Sequence, residues 1–222
     1  MEDQEEEVRR LDPSRLTYPE WIRFFFDRPI QEKIFWDEID EYDEWREIAV
    51  PARIVQYLRT LCLEHKAIRE AYSEEQVEQG LWGIFATYMY QRTLFEPAVD
   101  VGTRIQCVEA MYYLYADVVA YLGGDKDDGF YWMWWDYIGH EVRAYEALTM
   151  DGKQVFDAVI QTLAKILGLP SLNCQWAALH GLGHVHHPKV REIVQHYLDT
   201  HGTELSDDDR RWVEGCRECR IM

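Results

Sequence analysis

Apolar residues recur along the chain at steps of three and four, with no sustained two-residue alternation, and that period marks helices rather than strands. Thr17-Tyr18-Pro19-Glu20 reads as a capping box with proline in the first turn, ahead of Trp21, Ile22, Phe24, Phe25 and Phe26, and Pro29 stops the helix. Phe35, Trp36, Ile39, Tyr42, Trp45 and Ile48 keep the same period, with Asp37, Glu38, Asp40, Glu41, Asp43, Glu44 and Glu47 between them. The spacing predicts an amphipathic helix with a nearly continuous anionic face. Pro51 opens another helix with Ile54, Val55, Leu58, Leu61 and Cys62 inward. Ser73 to Gln76 form a second capping box ahead of Val77, Leu81, Ile84, Phe85 and Tyr88.

The strongest period runs from Arg104 to Leu122 through Ile105, Val108, Met111, Tyr112, Tyr115 and Val119, and Gly123-Gly124 ends it. Asp125 to Gly129 is acidic, but its carboxylates lack the spacing of an EF-hand loop and read as a solvated turn. The aromatic run Phe130 to Trp135 is too apolar to be wholly exposed, and its continuation through Ile138, Val142 and Leu148 predicts a helix, with a short strand as the alternative. Val155 to Leu167 is closed by Gly168 and Pro170, and Ser171, Pro188 and Ser206 with Asp209 mark the last three starts. These elements predict an all-α fold: stacked antiparallel helix pairs in an α-solenoid or a compact helical bundle. Residues 1–16 read as an acidic, frayed lead-in, and 17–222 as one helical domain.

The stretch from Cys174 to Asp199 resembles one helix pair of the short HEAT-like repeat family. In that family a helix ending in Ala-Leu-Gly-x-Leu-Gly-Asp-Pro turns sharply into a second helix. Here the corresponding run is Gly181-Leu182-Gly183-His184-Val185-His186-His187-Pro188, followed by Val190, Ile193, Val194 and Leu198 on one face. His186 stands where the family has glycine and His187 where it has the aspartate cap, so the turn between the helices departs from the family's. The resemblance implies a helix pair at about 171–200 with Pro188 at the first helical position, and it implies architecture alone. One repeat cannot bury its own apolar face, so neighbouring helices must stack on it. In that register His180 and His184 fall at positions open to solvent.

Composition adds sign to this picture. Of 222 residues, 23 are basic and 41 acidic, for a net charge of −18, and 47% are hydrophobic. Half of that charge lies in residues 1–50, which hold 7 basic and 16 acidic residues. Such a chain is globular rather than disordered, and it lacks the basic footprint that nucleic acid or an anionic membrane surface demands. The longest run free of charged residues, 166–188, contains Pro170, Asn173, Gln175 and four histidines, which argues against a membrane span. Met1 to Glu7 are acidic where an export signal is basic, and the five cysteines are sparse and odd in number, so reduced thiols and a cytoplasmic location are expected.

Candidate chemistry is confined to a few clusters. His180 and His184 sit one helical turn apart, with His186, His187 and His196 near; His180, His184 and His187 form a possible zinc, copper or nickel set, the alternative being surface or turn histidines. Cys216-Arg217-Glu218-Cys219 lacks both a thioredoxin-like setting and a second cysteine pair, which leaves a shared zinc site or two late thiols. Glu109 and Asp117 lie inside an apolar helix, and Asp136 with His140 could form a dyad one turn apart. No phosphate loop, dinucleotide fingerprint or nucleophile elbow is present, and no cofactor other than zinc is suggested. Trp132, Trp134 and Trp135 are candidates for an aromatic pocket or for core. The expected function is a non-enzymatic interaction module in which Trp36, Asp37, Asp40, Glu41, Asp43 and Glu44 dock a basic protein, as a bacterial immunity or antitoxin-like protein masks a cationic toxin. A metal-binding protein built on His180, His184 and His187 is the alternative.

Overall fold

The first helix, α1 (Tyr18–Phe26), begins where the capping box places it. The Thr17 backbone N–H and hydroxyl both donate to the Glu20 carboxylate, at 2.8 and 2.6 Å, and hold that carboxyl below its usual range. The computed structural model describes residues 13–30, 48–86, 89–122, 129–136, 138 and 145–221. Within them follow α2 (Pro51–Leu63), α3 (His65–Ala71), α4 (Glu74–Ala86), α5 (Met89–Leu94), α6 (Val101–Asp117), α7 (Phe130–Met133), α8 (Met150–Leu167), α9 (Leu172–His184), α10 (Val190–His201) and α11 (Asp207–Arg217). Single 3-10 turns cover Pro13–Arg15, Val119–Tyr121 and Tyr145–Ala147. The described residues contain no strand, and the fold is all-α as the periodicity predicts. No described helix is long and apolar enough to cross a membrane.

The helices pack as a stack. α1 lies on α4, where Gly80 gives way to the Phe26 ring; a Cβ there would meet that ring at 2.4 Å. α6 is the central element, packed between α2 and α8, and α8 in turn carries α9. α9 is covered by α7 and α11, and α10 packs chiefly on α11. Cys107, Val108, Met111, Leu114 and Tyr115 of α6, with Val155, Phe156, Val159, Leu163 and Ile166 of α8, are all buried in one continuous core.

Three boundaries differ from the sequence reading. Residues 13–16 are not frayed: Ser14 is fully buried, its hydroxyl accepts the Val50 N–H at 3.1 Å, and Tyr57 donates to the Leu16 carbonyl at 2.8 Å. The central helix starts three residues earlier than the apolar period, because Asp100 caps it by accepting the Thr103 N–H at 2.9 Å, and it gives way after Asp117 to a 3-10 turn. Pro188 is not the first helical residue. The Val190 N–H bonds back to the His187 carbonyl at 3.1 Å, so Pro188 occupies the second position of a four-residue turn, where its fixed φ is equally suited, and α10 begins at Val190. The predicted anionic helix at 34–48 lies outside the described residues up to Glu47, as do the acidic turn's residues 125–128.

Candidate metal centre

Gly129 starts α7 with a φ of 108°, in the left-handed region that suits glycine, and a Cβ there would lie 2.7 Å from the Tyr131 ring. The aromatic run that follows is core rather than a ligand pocket. Trp134 and Trp135 are fully buried, Trp134 donates its indole N–H to Met111 Sδ at 3.5 Å, and the Tyr115 hydroxyl donates to the Tyr131 carbonyl at 2.8 Å. Anchored in this way, the segment draws the next residue, Asp136, inside with it, to 5% exposure.

α9 meets this segment at a glycine. Gly181 lies under Trp135, and a Cβ at that position would stand 2.7 Å from Trp135 Cβ. The close approach places the face of α9 that carries His180 and His184 directly against Asp136. His180 is therefore buried, at 4% exposure, and His184 half-buried, which corrects the solvent-facing positions expected from the repeat register.

The hydrogen positions follow from the partners. His180 Nδ1 lies 2.9 Å from the Trp132 carbonyl, which can only accept, so Nδ1 carries the hydrogen and Nε2 presents its lone pair. Nε2 of His180 faces Nε2 of His184 at 3.2 Å. Asp136 Oδ1 is 3.1 Å from His180 Nδ1 and 3.9 Å from His184 Nε2, yet it lacks an aligned hydrogen bond among the described residues. A buried carboxylate oxygen in that condition is costly unless a cation or a proton completes it.

This donor set fits a borderline first-row ion. With metal–nitrogen bonds of about 2.05 Å, the observed 3.2 Å between the two Nε2 atoms corresponds to an angle of about 103°, close to tetrahedral. The Asp136 oxygen meets His180 at Nδ1, the N–H side of the ring, and lies 3.9 Å from His184 Nε2, so joining the two Nε2 atoms at the same angle requires the carboxylate to turn towards Nε2 and to close on His184 by about 0.6–0.7 Å. Asp136, His180 and His184 each offer a ligand atom, all within 4.8 Å of one another. Two imidazoles and one carboxylate suit zinc, iron, nickel or copper and are a poor match for calcium or magnesium, which take oxygen ligands.

The remaining predicted site residues are distributed elsewhere. His187 does not join His180 and His184. Its Nδ1 accepts the Lys189 backbone N–H at 3.1 Å and its Nε2 donates to Asp157 Oδ1 at 2.9 Å, so both ring nitrogens are engaged in pinning the turn to α8. Cys216 is buried and Cys219 donates its S–H to the Val185 carbonyl at 3.3 Å; burial pushes both thiols up, the opposite of an activated cysteine. Asp117 faces the buried His65 at 3.3 Å, while Glu109 is exposed on α6. His140 lies outside the described residues, and so does the whole docking set of Trp36, Asp37, Asp40, Glu41, Asp43 and Glu44. Asp136, noted in the sequence for a local partner, finds its histidines on α9 instead, a pairing that local spacing does not encode. In comparison with known proteins, the chain matches no family model, no curated protein and no solved structure.

Proposed function

We propose that the chain binds one divalent transition-metal ion, zinc in the first instance, through His180, His184 and Asp136. The observation that carries this reading is the buried Asp136 oxygen, short of an aligned donor and facing two imidazoles whose Nε2 atoms stand at ion-sharing distance. A bound ion would supply Lewis acidity at that point. The chain's own contribution is to hold His180 in the Nδ1–H form with the Nε2 lone pair turned to His184, and to keep the carboxylate in a largely dry setting where its attraction for a cation is strong. Calorimetric zinc titration of tag-free protein tests the reading: one site per chain is expected in the wild type and none in Asp136→Asn combined with His184→Ala, whereas equal binding by both proteins would refute it.

The net charge of −18 favours a second reading, an interaction module that docks a basic protein in the manner of an immunity or antitoxin-like inhibitor. Capture of the cognate partner from the native host, with affinity that falls steeply as ionic strength rises, is the outcome this reading predicts. Tight binding indifferent to salt would count against it.

A further inference from the structure

We infer that Trp132 is the positioning residue of this centre, fixing both the tautomer and the ring plane of His180; the inference rests on the metal reading of Asp136, His180 and His184. Trp132 acts twice. Its backbone carbonyl receives the His180 Nδ1–H at 2.9 Å, and its indole stacks on the same imidazole with centroids 4.2 Å apart and planes 17° from parallel. The first contact decides which nitrogen is free for an ion. The second decides where that nitrogen's lone pair points, because a ring pressed face to face against an indole cannot turn about χ2 without losing the stack.

The indole is itself supported by further rings. Trp212 of α11 stacks on Trp132 at 5.5 Å and 22°, and Trp176 of α9 packs on Trp212 at 4.6 Å. Three elements therefore converge beside one imidazole: Trp212 also lies parallel to the His180 ring at 6.5 Å, and the His184 ring stands nearly perpendicular to it at 4.6 Å. Trp132 also shares its short segment with Asp136, so one rigid stretch of chain supplies the carbonyl, the stacking ring and the carboxylate ligand. Stacking on a ligand-bearing histidine is more than core filling: Trp132 remains partly exposed, while its neighbours Trp134 and Trp135 are fully buried in the core.

Substitution separates the two contacts, because any residue at 132 keeps the backbone carbonyl. Trp132→Leu removes the ring, and zinc affinity is expected to fall by about 10- to 100-fold, the range found when an outer partner of a metal-bound histidine is lost. Trp132→Phe keeps a flat ring and should restore most of that affinity, a rescue that bulk alone would not give. Cobalt(II) loaded in place of zinc should show altered visible bands in Trp132→Leu and near wild-type bands in Trp132→Phe. In the metal-free protein, nitrogen NMR with His180 assigned by its absence in His180→Ala should show the proton on Nδ1 in the wild type and in Trp132→Leu alike, because both keep the carbonyl that receives it. Wild-type zinc affinity and cobalt bands in Trp132→Leu would overturn the inference, and so would a wild-type His180 protonated on Nε2. A wild type that takes up no zinc would remove the metal reading instead, and the tautomer measurement then decides the positioning claim alone.

Discussion

Gly181→Ala is the sharpest test of how the fold builds the centre. In an exposed helix interior this change stabilises by about 1 kcal/mol, since alanine is the better helix former. Here the new methyl would lie 2.7 Å from Trp135 Cβ, 3.0 Å from its Cγ and 3.1 Å from Leu163 Cδ2. The first two atoms sit at the root of a fully buried side chain stacked on Tyr115 at 5.9 Å, so they cannot swing aside as a flexible tip would. Restoring ordinary contact requires α9 and the Trp135 segment to separate by about 0.7 Å, and overpacking of this kind costs about 1–3 kcal/mol. The net expectation is a loss of up to about 2 kcal/mol, read as a lower midpoint in urea denaturation at unchanged slope with a chelator present. Asp136 follows Trp135 directly, so the same displacement withdraws its carboxylate from His180 and His184, and zinc affinity should fall as well. A variant as stable as the wild type or more so, with undiminished zinc binding, would refute the packing argument.

Other outcomes follow from the same contacts. Asp136→Asn should abolish zinc-induced stabilisation, worth about 2.7 kcal/mol in the wild type at 100 times Kd, whereas His187→Asn should keep zinc binding and lose only the stability of the turn, both read as thermal shifts with and without zinc. Ser206→Ala removes the hydroxyl that accepts the Asp209 N–H at 3.1 Å and should cost about 1 kcal/mol in chemical denaturation. Burial pushes the Cys174 thiol up to about 11 and that of Cys62 up to about 12, against an ordinary 9.0. The folded chain thus keeps protons that the unfolded chain releases, so this stability is intact below about pH 9 and declines as pH rises towards 11–12. Denaturation midpoints should accordingly be lower at pH 10 than at pH 8, and less so in Cys62→Ala, while a flat profile would contradict the burial.

Much of the helical order was legible because it is local. Pro51, Ser171 and Ser206 mark real starts, and Gly168 a real end, because caps and breakers act within one turn. The Asp100 cap was also in the sequence, but it precedes Val101-Gly102-Thr103, which carries little of the apolar period that drew attention to Ile105 onward. The centre was half legible. The i, i+4 histidine spacing singled out His180 and His184, yet the third residue comes from 44 positions upstream of His180, and only packing brings it there. The available signal was the aromatic run itself: a segment held by Trp134 and Trp135 drags its adjoining aspartate into the core, where a carboxylate must find a cation or a donor. His187 misled because proximity in sequence looked like proximity in space, whereas the turn at Pro188 carries its ring towards Asp157.

Equilibrium zinc binding by the tag-free chain, read by dialysis against zinc and elemental analysis of wild type beside Asp136→Asn, tests the centre most directly. One zinc per wild-type chain and substoichiometric zinc in the variant are the predicted result; equal zinc content in the two proteins, or none in either, would contradict it.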